Sequence, residues 1–445
     1  MIFSGSKVGA RDSRLSLAEV MGICYFGVSP LVSINQLRLG PVTILNLTGV
    51  AAILSGIFLA KGRRVLNNSV WSVTSACLFS VLLVGLWRSP GTGGTTALQF
   101  LIRFLVSWLV VSLTPLRRKI SVHYGVAWVV GLCVAGALQT YNENRSGVYI
   151  DETGDRSYSR YIQGNELYDL GTELNIYDTY GYMAMAITGV CCIGLALTAI
   201  EGKKRALFGL SGIFLISAER RGGFLSADLL VAVGLVMTVV LVLATYGKRG
   251  VKWVVISVAL CALVFARLAP IMNYSNIEAR IGNIANAGLS GDGSALERMG
   301  ADYVSLNTWL AHFVFGVGLV GFDYDSDQYI GGHSSIVDIP AQIGAVGLCV
   351  YYGYVFVPLL LTLRCLRSGS RLRPDAQRCA LVVVVGLTLF LIGTAINPTF
   401  LRSLLDETML LLLFLAATVY SGVRRRAEGL TIQTEKTAQR RDGYA

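Results

Sequence analysis

Residues 379–396 read CALVVVVGLTLFLIGTAI, an apolar run without a single charged side chain. A helix needs about 20 mostly apolar residues to cross a bilayer, and this run comes close to that. Helices apolar on every face belong in lipid or in a large core. Working outward from this stretch, eleven further runs have the same character: 16–34, 41–60, 69–87, 97–115, 121–139, 179–200, 206–218, 222–246, 251–271, 336–363 and 403–422. The shortest, 206–218, would not cross alone. The expectation is an all-α protein: a polytopic transmembrane helix bundle of about twelve spans.

Composition points the same way. Of 445 residues, 53% are apolar and 15% charged, with a mean hydropathy of +0.59. An average soluble domain carries roughly 25% charged residues. These figures exclude a soluble globular enzyme, a disordered chain and a disulfide scaffold. The nine Cys lie in apolar runs or beside basic loops, and no C-x-x-C occurs. No disulfide framework or thiolate metal site is expected. Three scattered His make no metal centre either, so no metal or cofactor is expected.

The net charge of +11 reads as orientation rather than as nucleic-acid binding. Basic clusters fall at 7–14, 61–64, 117–119, 203–205, 248–252, 364–378 and 424–441, and hold 26 of the 38 Lys and Arg. One cluster precedes the first span and the others follow every second span, so both termini are expected in the cytoplasm. The first span is read as retained rather than cleaved. The remaining basic residues are all Arg: 38, 88, 103, 145, 156, 160, 220, 221, 267, 280, 298 and 402. Either the chain is simply rich in Arg, or its outer face handles phosphate, which the planar guanidinium grips two oxygens at a time.

The bundle is expected over 1–422, with a polar, disordered cytoplasmic tail at 423–445. Two outer loops are long. Residues 140–178 are acidic and Tyr-rich, without an apolar period, and read either as a loop over the bundle or as a solvated connector. Residues 272–334 hold Leu296, Met299, Tyr303, Leu306, Leu310 and Phe313 at spacings of three and four. That is one face of an amphipathic helix. It is expected flat on the outer interface, packed on the bundle, or buried in a small core of the loop's own. Gly316, Gly318 and Gly321 would end it.

Charges at the edge of a bilayer are costly and tend to be functional. Glu219-Arg220-Arg221-Gly222-Gly223 follows the short run 206–218. A helix of that length rises only about 20 Å, which would leave both Arg below the outer surface. Arg280 and Arg298 lie in the second loop. Arg298 precedes Asp302 by four residues and would pair with it on a helix. His333 lies just before Ser335 and Asp338, which have capping-box-like spacing. Histidine at that mouth would take a proton from a hydroxyl near neutral pH, or hydrogen-bond a neighbouring loop. Arg103, Asp228 and Glu19 are the polar residues expected nearest the midplane.

These residues carry a resemblance. His333-Ser334, nine residues, then Gly344-Ala345-Val346-Gly347 resembles the His-(Asn/Ser/Gln)-x9-Gly-x2-Gly signature of the O-antigen ligase and O-antigen polymerase superfamily. Arg221-Gly222-Gly223-Phe224-Leu225 is similar to that family's Arg-x3-Leu element. Gly316-Val317-Gly318 before Phe322 is similar to its Gly-x-Gly stretch. Arg298 stands about where members carry a second functional Arg. The motifs cover roughly 206–363; elsewhere only the topology agrees.

The resemblance implies a membrane glycosyltransferase of the GT-C type, metal-independent and inverting, with 272–334 as a long periplasmic loop. It would act on the outer face of the bacterial inner membrane. The donor would be a glycan on undecaprenyl diphosphate. Arg221 and Arg298 would hold the diphosphate, with Arg220 and Arg280 as further candidates, and His333 would activate or position the acceptor hydroxyl. The acceptor would be another lipid-linked repeat in a polymerase, favoured by the groove-like loop 140–178, or lipid A core in a ligase. Membrane lipid and polysaccharide assembly proteins are the remaining expected partners. A transporter of polysaccharide or lipid-linked oligosaccharide, which shares the span count, is the reading of another class; a purely structural partner in polysaccharide assembly is a third.

Overall fold

A computed structural model of the chain describes residues 15–31, 38–39, 42–59, 64–89, 91–146, 148–150, 156–158, 181–198, 206–207, 209–215, 224–246, 293–319, 322–323, 328–329, 334–367, 374–396 and 403–442. The helices are α1 (Leu17–Val28), α2 (Ile44–Leu59), α3 (Ser69–Trp87), α4 (Gly91–Ser112), α5 (Arg118–Ser146), α6 (Gly181–Thr198), α7 (Phe224–Tyr246), α8 (Gly293–Ala311), α9 (Ser335–Arg367), α10 (Pro374–Ile396) and α11 (Ser403–Asp442). Three two-stranded antiparallel hairpins decorate them, joining 38–39 to 42–43, 148–150 to 156–158, and 322–323 to 328–329.

Among the described residues, four helical stretches are long and apolar enough to cross a membrane: Ser69–Trp87, Ser335–Arg367, Ala376–Ile396 and Leu405–Arg424. Six shorter apolar stretches lie on α1, α2, α4, α5, α6 and α7. Of the other expected spans, 206–218 is helical at 209–215, and 251–271 lies outside the described residues. The chain is thus a helical membrane protein, with four stretches among the described residues meeting the length requirement.

Burial identifies the core. In α10 and α11, 67% of the apolar stretch is buried, against 28% in α3 and 33% in α9. The first pair is the interior and the second pair faces outward. α11 touches α4, α5, α6, α9 and α10, so it is the post around which the others stand. α1 packs on α2 and α5, α3 on α9, and α6 and α7 on α10. Small residues let backbones approach: a Cβ at Gly386 would stand 2.7 Å from Leu412, and one at Gly234 2.8 Å from Leu389.

Loops expected on one side are found together. The amide of Val65 donates to the Thr114 carbonyl at 3.2 Å, and Arg64 bridges to Pro115. Both segments adjoin basic clusters. Glu19 belongs to this end and not to the midplane. It is the third residue of α1 and closes a capping box with Ser16, whose amide donates to Glu19 Oε2 at 2.7 Å. Arg117 lies 3.7 Å from its other oxygen. A carboxylate there also suits the positive end of the helix dipole.

Two loop expectations are corrected. The tail 423–445 does not begin as disordered chain, because α11 continues to Asp442. Its Arg, Ala, Glu, Lys and Gln are good helix formers, and extension from a packed span needs no new nucleus. The segment 140–178 likewise begins as helix, with α5 running to Ser146 before the hairpin at 148–158; 159–178 lies outside the described residues.

Candidate functional site

α9 is two helices joined at Gly344, whose φ of 72° and ψ of −177° break the helical run. At the break the carbonyls of Ala341 and Gln342 lose the amides of Ala345 and Val346, their normal partners one turn on. Each orphan is satisfied by the segment 313–318. Val317 and Gly318 donate to Ala341 and Gln342, both at 2.9 Å. Ala345 donates to the Phe313 carbonyl at 2.8 Å and Val346 to that of Val314 at 3.4 Å. Non-helical backbone inside a membrane bundle survives only where protein satisfies it, and here four bonds do so reciprocally.

Glycine is required on both sides of the joint. Gly316 and Gly344 have positive φ of 64° and 72°, which side chains with a Cβ disfavour. A Cβ on Gly344 would collide with the backbone of Val314, and one on Gly316 with that of Gln342. The end of α3 completes the joint. Arg88 Nε donates to the Gly316 carbonyl at 2.9 Å, and the Leu319 amide is shared between Gly85 O at 3.2 Å and Ser89 Oγ at 2.7 Å. Arg88 therefore spends part of its charge on the fold rather than on a ligand.

The break redirects the chain toward α10. Ser334 Oγ donates to the Ala395 carbonyl, and Tyr352 OH donates to Thr394 Oγ1, each at 3.0 Å. A straight helix would hold the Cα atoms of Ser334 and Tyr352 about 27 Å apart. Side chains of Ser and Tyr reaching adjacent residues cannot bridge that, so the segment 335–343 must fold back over the bundle. It is buried there: Ser335, Ile339 and Ala341 are fully enclosed, and Asp338 nearly so.

α8 packs on this folded-back segment. Ser305 Oγ donates to Asp338 Oδ1 at 2.9 Å, which holds the carboxylate in the first turn of α9. Ser305 and Thr308 are 0% and 4% exposed, whereas Tyr303 and Leu310 are 66% and 62% exposed. The amphipathic helix exists and ends at Ala311, two residues before Phe313. It packs on the bundle as expected, but through the side bearing Ser305 and Thr308, while Met299, Tyr303 and Leu310 point out; burial of the stripe in a small core of the loop's own is overturned for these three. Ser335 and Asp338 lie one turn apart inside α9, and Ser305 is one partner that Asp338 takes.

The candidate residues take these places. His333 lies outside the described residues, immediately before Ser334. Arg298 is on α8, in the register that carries Asp302 and Ser305, with its side chain outside the described residues. Arg220, Arg221 and Arg280 lie outside the described residues, as does the side chain of Asp228 on α7. The site visible from its described neighbours is therefore a polar seam between α8, the start of α9 and the end of α10. Among the described residues, no three His, Cys, Asp or Glu side chains gather as a metal site would need.

A second polar group sits within the bundle. Glu407 on α11 is 1% exposed and lies 3.7 Å from Arg103 on α4. It also accepts from Ser29 at the end of α1, and from Ser107 on α4 at 3.3 Å; Ser107 in turn bonds Tyr25 at 2.6 Å. The sequence reading singles out Arg103 and passes over Glu407. Its signal was an acid in the first two turns of an apolar run, which resembles an ordinary helix start.

No family model matches the chain, and no curated protein matches it.

Proposed function

We propose that this chain is a membrane glycosyltransferase of the O-antigen polymerase and ligase type, in a bundle of about twelve spans with both termini in the cytoplasm of a bacterial cell. It transfers an undecaprenyl-diphosphate-linked glycan to an acceptor hydroxyl on the outer face of the inner membrane. The observation that carries this reading is the joint. The two glycine motifs that resemble the family's, Gly316-Val317-Gly318 and Gly344-Ala345-Val346-Gly347, each donate to the residues just before the other, 341–342 and 313–314, and so fix the segment that starts beside His333.

In this reading Arg221 and Arg298 hold the diphosphate, with Arg220 and Arg280 in support. Their charge stabilises the leaving group as the C1–O bond to diphosphate breaks. The acceptor hydroxyl attacks C1 from the opposite face, inverting it, and its proton passes to His333. Undecaprenyl diphosphate is the second product. A polymerase is favoured over a ligase, with the acceptor a second lipid-linked repeat rather than lipid A core.

A transporter is the second reading. Two observations favour it: the Arg103–Glu407 pair inside the bundle and the break in α9, both features of transporter cores. A polysaccharide gel separates the readings. In a deletion strain complemented with wild type, a full ladder is expected. With His333→Ala, expressed at the normal level, single-repeat glycan on its acceptor is expected for a polymerase, and bare acceptor for a ligase. A full ladder from the His333→Ala protein removes the catalytic assignment.

A further inference from the structure

We propose that α8 is embedded in the outer leaflet, its stripe of Met299, Tyr303, Leu306 and Leu310, continued by Phe313 just past its end, covered by lipid acyl chains, and the side bearing Ser305 and Thr308 covered by the protein. This rests on the chain being a membrane bundle and not on the glycan-transfer reading.

The orientation of the helix carries the inference. A loop helix bathed in water buries its apolar stripe and shows its polar side. α8 does the reverse: Met299, Tyr303 and Leu310, with Phe313 just past its end, are each more than half exposed, while Ser305 and Thr308 are enclosed, Ser305 against Asp338 at the start of α9. Inversion of this kind suits a helix whose outer medium is hydrocarbon. The stripe is also continuous with the outward surface of two spans. Through the joint at 313–319, α8 is bonded to the ends of α3 and α9. There Trp87, at the outer end of α3, is 90% exposed, and Val346, just past the break in α9, is 42% exposed. Trp at a span's end is the residue that anchors at the headgroup level.

The placement has a consequence for the seam. A helix with its side chains is about 10 Å across, and an embedded helix sinks roughly 5–10 Å into the acyl boundary. The side of α8 facing the protein, with the register of Arg298, Asp302 and Ser305, then lies at the depth of lipid phosphates. A charged group carried on a lipid meets that register without leaving the membrane plane.

The test uses the full chain in its own membrane. A photoreactive benzoylphenylalanine replaces Leu310 or, separately, Tyr303, both exposed enough to leave folding intact. Thr308, which is enclosed, serves as the internal comparison. After irradiation the protein is analysed by mass. Phospholipid adducts at 303 and 310, and none at 308, are expected. Cross-links to a second copy of the chain or to another protein would overturn the proposal, because the stripe would be a protein interface. Unreacted or water-quenched probe at both positions would overturn it too, because the stripe would face water. None of these readouts depends on glycan transfer.

Discussion

A Gly344→Val protein is expected to lose the joint between 313–318 and 341–346 and most of its folded population. The left-handed φ of 72° disfavours any residue with a Cβ by roughly 1–2 kcal/mol. The clash is with the Val314 backbone, not with a movable side chain end. Relief therefore means parting 313–318 from 341–346 and giving up four hydrogen bonds, each worth about 1 kcal/mol net. A total of about 5 kcal/mol is comparable with the whole stability of many proteins. Thermal unfolding of detergent-purified protein checks this. A Gly344→Val melting temperature equal to wild type would show that the break in α9 is not held as described.

The second large effect is at the buried pair. Glu407→Leu leaves the Arg103 guanidinium inside the bundle without its counter-charge and removes the carboxylate that accepts from Ser29, while Ser107 keeps the Arg103 carbonyl as acceptor. Removing one partner of a buried pair costs about 3–5 kcal/mol, whereas replacing both with apolar groups is often neutral. The Arg103→Leu/Glu407→Leu protein is expected to recover most of the stability lost in Glu407→Leu alone. Melting temperatures of the four proteins complete the cycle. A double variant no more stable than the single one would mean that the two charges do not act as a pair.

These two sites differ in how far the sequence announces them. The glycines of 316–318 and 344–347 stand out as motifs, and the resemblance joins them to one family. The bonding of each motif to the residues just before the other does not follow from spacing, because it depends on backbone groups that a helix normally satisfies alone. Only the break at Gly344 frees them. Glu407 shows the opposite failure. An acid near the start of an apolar run is common at helix ends, and no local pattern reveals that Arg103, about 300 residues earlier, stands beside it.

The spans themselves were legible wherever the apolar run is long and unbroken, as at 379–396, since a helix buried on all sides needs no period to be recognised. The amphipathic helix was legible in existence, with Met299, Tyr303, Leu306 and Leu310 at helical spacing, although it ends at Ala311 and Phe313 belongs to the turn that follows. Its direction was not, since a period gives a face but not the solvent beyond it. The same limit applies to Glu19, which reads as a midplane charge until the capping box with Ser16 fixes the start of α1. The tail shows a further limit: polarity suggested disorder, while the helix-forming residues after Arg424 continue a span already nucleated.

The proposed bond-making at the seam beside His333 is tested most directly by transfer in a defined bilayer. Full-length protein is reconstituted in liposomes with sugar-labelled undecaprenyl-diphosphate-linked glycan taken from cells lacking the protein. The expected result is label in a longer glycan, with free undecaprenyl diphosphate released in step, and neither product from His333→Ala. Lipid-linked glycan that crosses the bilayer with its diphosphate bond intact, at equal rates for wild type and His333→Ala, would contradict the enzyme and establish the transporter.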